Sequence, residues 1–254
     1  METNSIIDIM LNRKSIRKYK PEVPSEEILE TIVRSGQQAP FAYQSCSLLL
    51  CRQSEKHPYK APWMFTVCAD SHKFEKIMAK RGWKMSMNDL TYLLLALQDA
   101  AYVAENMVIA ADSLGLGSCY IGAAPFKADQ IAAEYDLPQR VFPLVQLVIG
   151  YPAENPQPRP RFPLDYFLFE EKYPELSEEQ VDRAMQTMDA GYKAQEYYKA
   201  LNFMIPLEGV REEKYDFETY SWTEHISRKL GLWLADPKDI LEQMKKRGFE
   251  IPVE

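Results

Sequence analysis

Gly115-Leu116-Gly117-Ser118-Cys119-Tyr120-Ile121-Gly122 holds three glycines in eight residues and follows a long apolar run that extends from Asp89 to Leu114. The spacing of apolar residues in that run predicts one long helix with a broad apolar surface. Gly115 is the natural C-cap of this helix, and residues 116–121 then predict a strand. Repeated glycines let a backbone approach a flat ligand closely, although a helix cap followed by a tight turn explains them equally well.

This glycine segment is not the dinucleotide fingerprint of a Rossmann fold. The GxGxxG spacing is absent, and a predicted helix precedes the segment where the fingerprint requires a strand. Any nucleotide-like ligand would therefore be bound in another way.

On either side of the glycine segment, short apolar runs alternate between helical and strand-like patterns. The predicted helices are 6–11, 28–38 with Ser25 as N-cap, 127–135, 177–200, 222–232 and 237–246, and the further predicted strands are 47–51, 63–69 and 141–149. Residues 200–220 are polar and irregular. We therefore expect a single α+β domain over residues 1–254, whose C-terminal helices wrap a partner rather than form a core of their own.

Composition narrows the function classes. The net charge is −7 and the sequence has no long basic run. We therefore expect that the protein binds neither nucleic acid nor membranes. The four cysteines form no CxxC pair and the three histidines are scattered, so that we expect no disulfide framework and no metal site. With no signal peptide and no apolar run of about 18 residues, a cytoplasmic location is the default.

Two clusters of cations suit an anion. Arg13-Lys14-Ser15-Ile16-Arg17 combines cations with a hydroxyl group, as a phosphate site requires, although a solvated basic turn is the simpler interpretation. Arg159-Pro160-Arg161 lies in a proline-rich segment, residues 151–163, which holds side chains on a stiff, extended backbone. A surface linker explains this second cluster about as well.

Nothing in the sequence indicates a side-chain nucleophile. No GxSxG, HExxH or P-loop motif occurs. Cys119 is best interpreted as a packing residue, and His225 as a structural or solvated histidine.

Taken in order, these segments resemble the nitroreductase family, and in particular its branch of NADPH-dependent FMN oxidoreductases that includes the oxygen-insensitive nitroreductases. The resemblance covers nearly the whole chain. It rests on residues 13–19, 99–111, 114–122, 150–153, 158–164, and 222–226 with 247–249. It implies a nitroreductase-like fold, with a central, mostly antiparallel sheet flanked by helices, in a homodimer. Residues 1–165 would form the flavin-binding core, and residues 166–254 a C-terminal helical extension that embraces the partner.

The resemblance also implies a cofactor site. Arg13, Lys14, Ser15, Arg159 and Arg161 would bind the FMN phosphate, which would join the two cation clusters in one site. Arg17 would lie near the pyrimidine edge of the flavin, where a positive charge stabilises the reduced ring.

The ring of the flavin would meet other parts of the chain. The backbone of Tyr120, Ile121 and Gly122 would face the ring centre and N5, and the loop with Pro40, Phe41 and Gln44 would approach from the second subunit. Because the chemistry occurs at flavin N5, no catalytic side chain is implied. A reduced nicotinamide, NADPH or NADH, would give hydride to the flavin and leave. A small organic acceptor, such as a nitroaromatic, a quinone or a flavin, would then take its place.

The sequence departs from the family pattern in three places. Residues 39–43 are Ala-Pro-Phe-Ala-Tyr where relatives commonly have serines, and Phe41 and Tyr43 would make a more apolar entrance that suits an aromatic or quinone-like acceptor. The segment 52–60 is short, and Gln53 is only a loose substitute for a flavin-contacting glutamine. The segment 200–220 is long where the nicotinamide phosphate is normally met, with candidates Lys199, Arg211 and Arg228.

Two other functions remain open at this stage. The chain could be a flavin-binding storage or sensor protein with little turnover, because the contacts around residues 39–44 are altered. It could also be a flavin-free interaction protein that keeps the fold. Arg13, Arg159 and Arg161 argue against this last possibility, because these cations would then have no evident task.

Overall fold

The computed structural model describes residues 2–207, 209, 211–232 and 236–252. The chain forms two compact units. The first comprises Met1–Pro156 together with Asp236–Glu254, and the second comprises Gln157–Ala235. Residues 208, 210, 233–235 and 253–254 of the predicted C-terminal extension lie outside the described part of the chain.

The first unit is built on a four-stranded sheet in which every pair of neighbouring strands is antiparallel, as predicted. The strands are β1 (Cys46–Cys51), β2 (Trp63–Asp70), β3 (Gly117–Ile121) and β4 (Val141–Gly150), in the spatial order β1-β2-β4-β3. Every residue of the inner strand β2 is buried, which explains its unbroken apolar run. β3 is an edge strand.

The described residues of this unit form the α-helices α1 (Ser5–Leu11), α2 (Glu26–Gln37), α3 (His72–Lys80), α4 (Asp89–Ser113), α5 (Ala128–Glu134) and α9 (Pro237–Lys246). Ser25 caps α2 as predicted, because its hydroxyl accepts from the amide of Ile28. The sequence analysis missed α3. This helix has only nine residues and none of them is fully buried, although Phe74, Ile77 and Met78 lie on one apolar face.

The main core lies between the sheet and the helices α2 and α4. Trp63, Phe65 and Ile149 of the sheet pack with Met107 and Val108 of α4, all of them fully buried. Burial of each such side chain stabilises the fold by about 1.5–3 kcal/mol. By length and composition α4 could cross a membrane, but its buried face is part of this core.

The C-terminal segment returns to the first unit. Phe249 packs edge-on against Phe142 of β4, with ring centroids 6.2 Å apart. Arg140 binds Asp89 at 2.7 Å and the carbonyl of Gly248 at 2.7 Å, which ties the chain end to the start of α4. Residues 236–252, which the sequence analysis placed in the partner-embracing extension, therefore form part of the core around the sheet.

The second unit contains α6 (Glu178–Ala194), α7 (Tyr197–Leu201) and α8 (Trp222–Gly231). A single helix over 177–200 was predicted, and this is wrong at its end: Glu196 has a φ of 46°, a left-handed conformation that a right-handed helix cannot continue through. The described residues between Asn202 and Ser221 form neither helix nor strand, as predicted. Stacked aromatic rings, including Tyr192, Tyr198 and Trp222, fill this unit.

Candidate functional site

The N-terminal cation segment lies along the edge strand β3. Ser15 forms an isolated parallel bridge with Ser118, and the amide of Ile16 donates to the carbonyl of Ser118 at 2.9 Å. Gly117 makes this approach possible, because a Cβ on it would lie 2.4 Å from Cγ1 of Ile16. The buried Ile16 side chain thus fixes the backbone between Arg13 and Arg17 on the sheet edge.

Three of the predicted phosphate ligands meet beside this strand. The Arg13 guanidinium lies over the ring of Tyr120, 5.6 Å from its centroid, and donates to the hydroxyl of Ser15 at 3.4 Å. Lys14 donates to the side-chain carbonyl of Asn155 at 2.5 Å. Each cation has a neutral oxygen as its partner, which leaves its charge uncompensated by these contacts and suited to an anion.

Glu154 holds the backbone at Arg17. Its carboxylate accepts from the amides of Arg17 and Lys18, at 2.5 Å and 3.1 Å. Glu154 and Asn155 were not predicted, although both directly follow the Gly150–Ala153 segment on which the resemblance partly rests. Their role could not be seen because their partners are far away in sequence.

The end of β3 is open to a flat ligand. A Cβ on Gly122 would meet no heavy atom within 4 Å, so the space beside this backbone is clear. Tyr120 points its hydroxyl to Glu105 of α4 at 3.1 Å. Burial and the neighbouring Glu105 carboxylate raise the pKa of Tyr120, so that its hydroxyl stays protonated and donates to Glu105.

Asp112 of α4 is a carboxylate beside the same cations. Burial raises its pKa to about 6, an effect opposed by the positive charges of Arg13 and Lys14 and increased by Glu105. The sheet edge thus combines cations with one carboxyl group that is easily protonated.

A second group of predicted residues lies in the loop before β1. Pro40, Phe41 and Gln44 are all exposed, Phe41 by 53%. The backbone of this loop is bound to Asp99 of α4, and Phe41, Gln44 and Asp99 line a cavity of about 250 Å³.

The remaining predicted ligands are in the second unit. The Arg159 guanidinium stacks on Tyr197, 4.0 Å from the ring centroid, and donates to the side-chain oxygen of Gln195 at 2.6 Å. Arg161 donates to the carbonyls of Arg159 and Pro160, at 2.9 Å and 3.0 Å. These contacts hold both guanidinium groups on the extended proline-rich backbone, as expected. No local pattern could have indicated Gln195 and Tyr197, which lie at the break between α6 and α7.

The sequence was compared with models of known protein families. The sequence model described as the nitroreductase family matches residues 10–151, more than half of the chain. The chain belongs to the nitroreductase family. The matched range includes the cation segment, the loop before β1 and the end of β3, and it stops before Arg159 and Arg161.

Individual relatives are similar to this chain over nearly its whole length. The FMN reductase (NADPH) of Bacillus subtilis is 28% identical, over 97% of this chain and 98% of that protein. The Cr(VI) reductase of a Pseudomonas species is 30% identical, over 73% of this chain and 82% of that protein. Among solved structures, NfrA1 of B. megaterium is 28% identical, with a TM-score of 0.81 over 97% of this chain and 99% of that one. The predicted nitroreductase-like α+β fold is thereby confirmed.

Two of the three candidates for the nicotinamide phosphate have carboxylate partners in this nitroreductase. Arg228 is buried and binds Glu213 at 2.6 Å and Glu224 at 2.7 Å. Lys199 binds Glu218 at 2.5 Å. These carboxylates hold the Arg228 guanidinium, which also lines an open pocket with Arg211, and its role toward the nicotinamide phosphate stays a prediction. Arg211 lines an open pocket of about 500 Å³, together with Lys214 and Tyr215.

The residues at the sheet edge fit FMN. Arg13, Lys14 and Ser15 offer donors for a phosphate, and the backbone at Gly122 has space for a ring. An apolar groove of about 450 Å³ adjoins this edge; Leu97, Ala101, Tyr102, Tyr120 and Leu144 are among the residues that line it. In the described part of the chain, no group of three or more His, Cys, Asp or Glu side chains could hold a metal ion.

Proposed function

We propose that this chain is an FMN-dependent oxidoreductase that takes electrons from NADPH or NADH and passes them to a small organic acceptor. The observation that carries this proposal is the segment Arg13–Arg17, which is fixed on a sheet edge whose end, at Gly122, is open. The relatives support it, because the B. subtilis protein is named an FMN reductase that uses NADPH.

At the phosphate end, Arg13, Lys14 and Ser15 bind the anion with side chains whose backbone is already fixed. Arg159 and Arg161 stay proposed phosphate ligands, as the resemblance to the family implies. Charge-assisted hydrogen bonds of this kind contribute about 1.5–3 kcal/mol each, since both the guanidinium and the phosphate are ionised.

At the ring end, the backbone of Tyr120, Ile121 and Gly122 binds the flavin edge, and Arg17 places a positive charge beside the pyrimidine. FMN itself supplies the redox chemistry, since it accepts hydride from a reduced nicotinamide and gives two electrons to the acceptor. The protein orients both reactants and needs no side-chain acid or base.

The acceptor approaches beside Phe41 in this proposal. Phe41 and Tyr43 are both exposed on the loop before β1, where they offer aromatic surface to a planar molecule. Nitroaromatics, quinones and free flavins share that shape. The relatives named above include an FMN reductase and a Cr(VI) reductase, so the family accommodates acceptors of different chemistry.

We also propose that the active form is a cytoplasmic homodimer in which the Pro40–Gln44 loop of one subunit reaches the flavin of the other. In the first unit, α4 exposes a stripe formed by Leu90, Leu94 and Leu97. In the second unit, residues 164–173 expose Leu164, Phe167, Leu168 and Tyr173. Apolar surface of this extent is unusual on a monomer, and a second copy of the chain would cover it. The part of the 166–254 extension that embraces the partner would then end before residue 236.

The test is the visible spectrum of the purified protein, before and after NADPH is added without oxygen. A yellow protein that bleaches supports the proposal. A yellow protein that neither NADPH nor NADH bleaches would indicate the storage or sensor function instead. A protein that stays colourless after FMN is supplied would contradict both.

A matched pair of variants tests the site. Arg13→Ala removes a proposed phosphate ligand and should weaken FMN binding about tenfold to a hundredfold, as expected for a lost charge-assisted hydrogen bond. Arg34→Ala removes an exposed arginine of α2 that pairs with Glu30, and should leave FMN binding unchanged. Equal FMN affinity in the two variants would show that the phosphate is bound elsewhere.

A further inference from the structure

Asp99 binds the loop before β1 from the middle of α4. Its side chain is buried, with 1% of the residue exposed, and its carboxylate accepts three backbone hydrogen bonds. The donors are the amides of Ala42 at 2.6 Å, Tyr43 at 3.2 Å and Ser45 at 2.8 Å. A buried carboxylate needs such hydrogen bonds, and these three amides supply them.

The residue between these donors has an unusual backbone conformation. Gln44 has a φ of 56°, in the left-handed region that residues other than glycine rarely adopt. Its two neighbours, Tyr43 and Ser45, are both held by Asp99. Ser45 is fully buried, and its carbonyl also accepts from the amide of Asp70 at 2.9 Å. A strained residue persists only where its surroundings impose the conformation, as they do here.

The side chains of this loop point to solvent, whereas hydrogen bonds hold its backbone in place. The side chains of Phe41 and Gln44 are exposed, whereas the neighbouring amides of Ala42 and Ser45 donate hydrogen bonds to the buried carboxylate of Asp99. A rigid backbone beneath exposed side chains is what a binding residue needs to lose little entropy when its ligand arrives.

We propose that Asp99 is a positioning residue: it holds the loop 42–45 so that Gln44 and Phe41 meet the flavin and the acceptor in a fixed orientation. This inference rests on the proposed function, in which these two side chains contact the flavin of the second subunit. Asp99 itself touches neither reactant and acts through the backbone amides.

Asp99→Asn is the sharpest variant. The amide side chain has nearly the same shape, but only one of its two terminal atoms can accept hydrogen bonds, and its NH₂ group faces backbone donors. Asp89→Asn is the matched control, since Asp89 lies on the same helix and its carboxylate accepts from Arg140 and from the amide of Glu250. Asp99→Glu is a second variant, which keeps the charge but displaces the acceptor by one methylene group.

Two measurements are made on each purified protein. The first is the dissociation constant of FMN, from quenching of flavin fluorescence. The second is the rate at which chymotrypsin cleaves the flavin-free protein after Phe41 or Tyr43, identified by mass spectrometry. We expect Asp99→Asn to raise the dissociation constant about tenfold and to accelerate this cleavage by a similar factor. Asp89→Asn should lower the melting temperature but change neither quantity.

Gln44→Ala separates this inference from the proposed function. If Gln44→Ala weakens FMN binding but both Asp99 variants behave like the parent protein, Asp99 is not a positioning residue and the flavin site stands. If Gln44→Ala leaves FMN binding unchanged, Gln44 does not contact the flavin and this inference is wrong, whereas the proposed function is judged by the spectrum and by Arg13→Ala. If Asp99→Asn weakens binding, adding it to Gln44→Ala should weaken binding little further, because both changes remove the same contact.

Discussion

Gly117 lies against Ile16, so closely that a Cβ on the glycine would come within 2.4 Å of Cγ1 of the isoleucine. The contact joins the edge strand to the segment that carries Arg13 and Arg17. Ile16 is buried and cannot move aside without leaving the core. The position of the proposed phosphate ligands therefore depends on a residue that has no side chain.

Gly117→Ala should displace this segment. We expect a loss of about 1–3 kcal/mol in the free energy of unfolding, as for other overpacked sites. FMN binding should weaken as well, because the donors of Arg13 and Ser15 move together. Urea unfolding and FMN titration measure the two effects. Gly231→Ala is the control, since a Cβ there would meet no atom within 4 Å; the same loss in both variants would show that Ile16 is not the cause.

Asp112→Asn should stabilise the flavin-free protein at neutral pH. Burial raises the pKa of Asp112 to about 6 from an ordinary value of 3.8, so the folded chain holds this proton more tightly than the unfolded chain. The stability that Asp112 contributes is therefore lost as pH rises from about 4 to about 6. After allowance for solvent screening, the variant should gain about 1 kcal/mol at pH 7 and little at pH 4. Thermal unfolding at both values checks this. Asp182→Asn removes an exposed carboxylate and serves as the control. An equal gain in stability in this variant would show that the effect comes from the change in net charge.

Glu213→Gln should loosen the second unit at neutral pH only. Hydrogen bonds from Arg228 lower the pKa of Glu213 to about 2, below its ordinary value of 4.5. The stability from this pair is present above about 4.5 and is lost as pH falls toward 2. The carbonyl of Ile205 also accepts a hydrogen bond from Arg228. Amide hydrogen exchange at Ile205 and its neighbours should therefore be faster in the variant at pH 7. Unchanged protection there would show that the pair does not hold this segment.

Leu94→Glu should separate the proposed dimer. Leu94 is 54% exposed in the apolar stripe of α4, and a carboxylate buried there at an interface would be strongly unfavourable. Light scattering should report a monomer, with FMN binding weakened at least about tenfold because the partner's loop is missing. Ile77→Glu, at a residue of α3 that is 52% exposed, should remain dimeric. A parent protein that is already monomeric would contradict the proposal.

Local patterns in the sequence predicted much of this fold. Ser25 marks the start of α2, Gly115 follows the end of α4, and the four apolar runs correspond to the four strands. These features depend on neighbours in the chain. α3 was not predicted although Phe74, Ile77 and Met78 mark one apolar face of its nine residues, and the break at Glu196 was not predicted because a left-handed glutamate has no local signal.

The sequence indicates the residues that we propose as ligands, but not the residues that hold them in place. Arg13 and Arg159 stand out as cations in stiff or turning segments. By contrast, Asp99 binds amides 54 to 57 residues away, and the contact of Gly117 with Ile16 can be seen only once the strand is placed. Such supports depend on tertiary packing, which a single sequence does not display.

The chain leaves the first unit after Pro156 and comes back to it at Asp236. The second unit is thus an excursion tethered at both ends, and the helix α9 that follows it packs on the first unit. Progressive shortening from the C-terminus would strip Phe249 and α9 from the sheet before it reached the excursion. Insertions and deletions, in contrast, are best tolerated between the two tethers, where chain length can vary while the ends stay anchored.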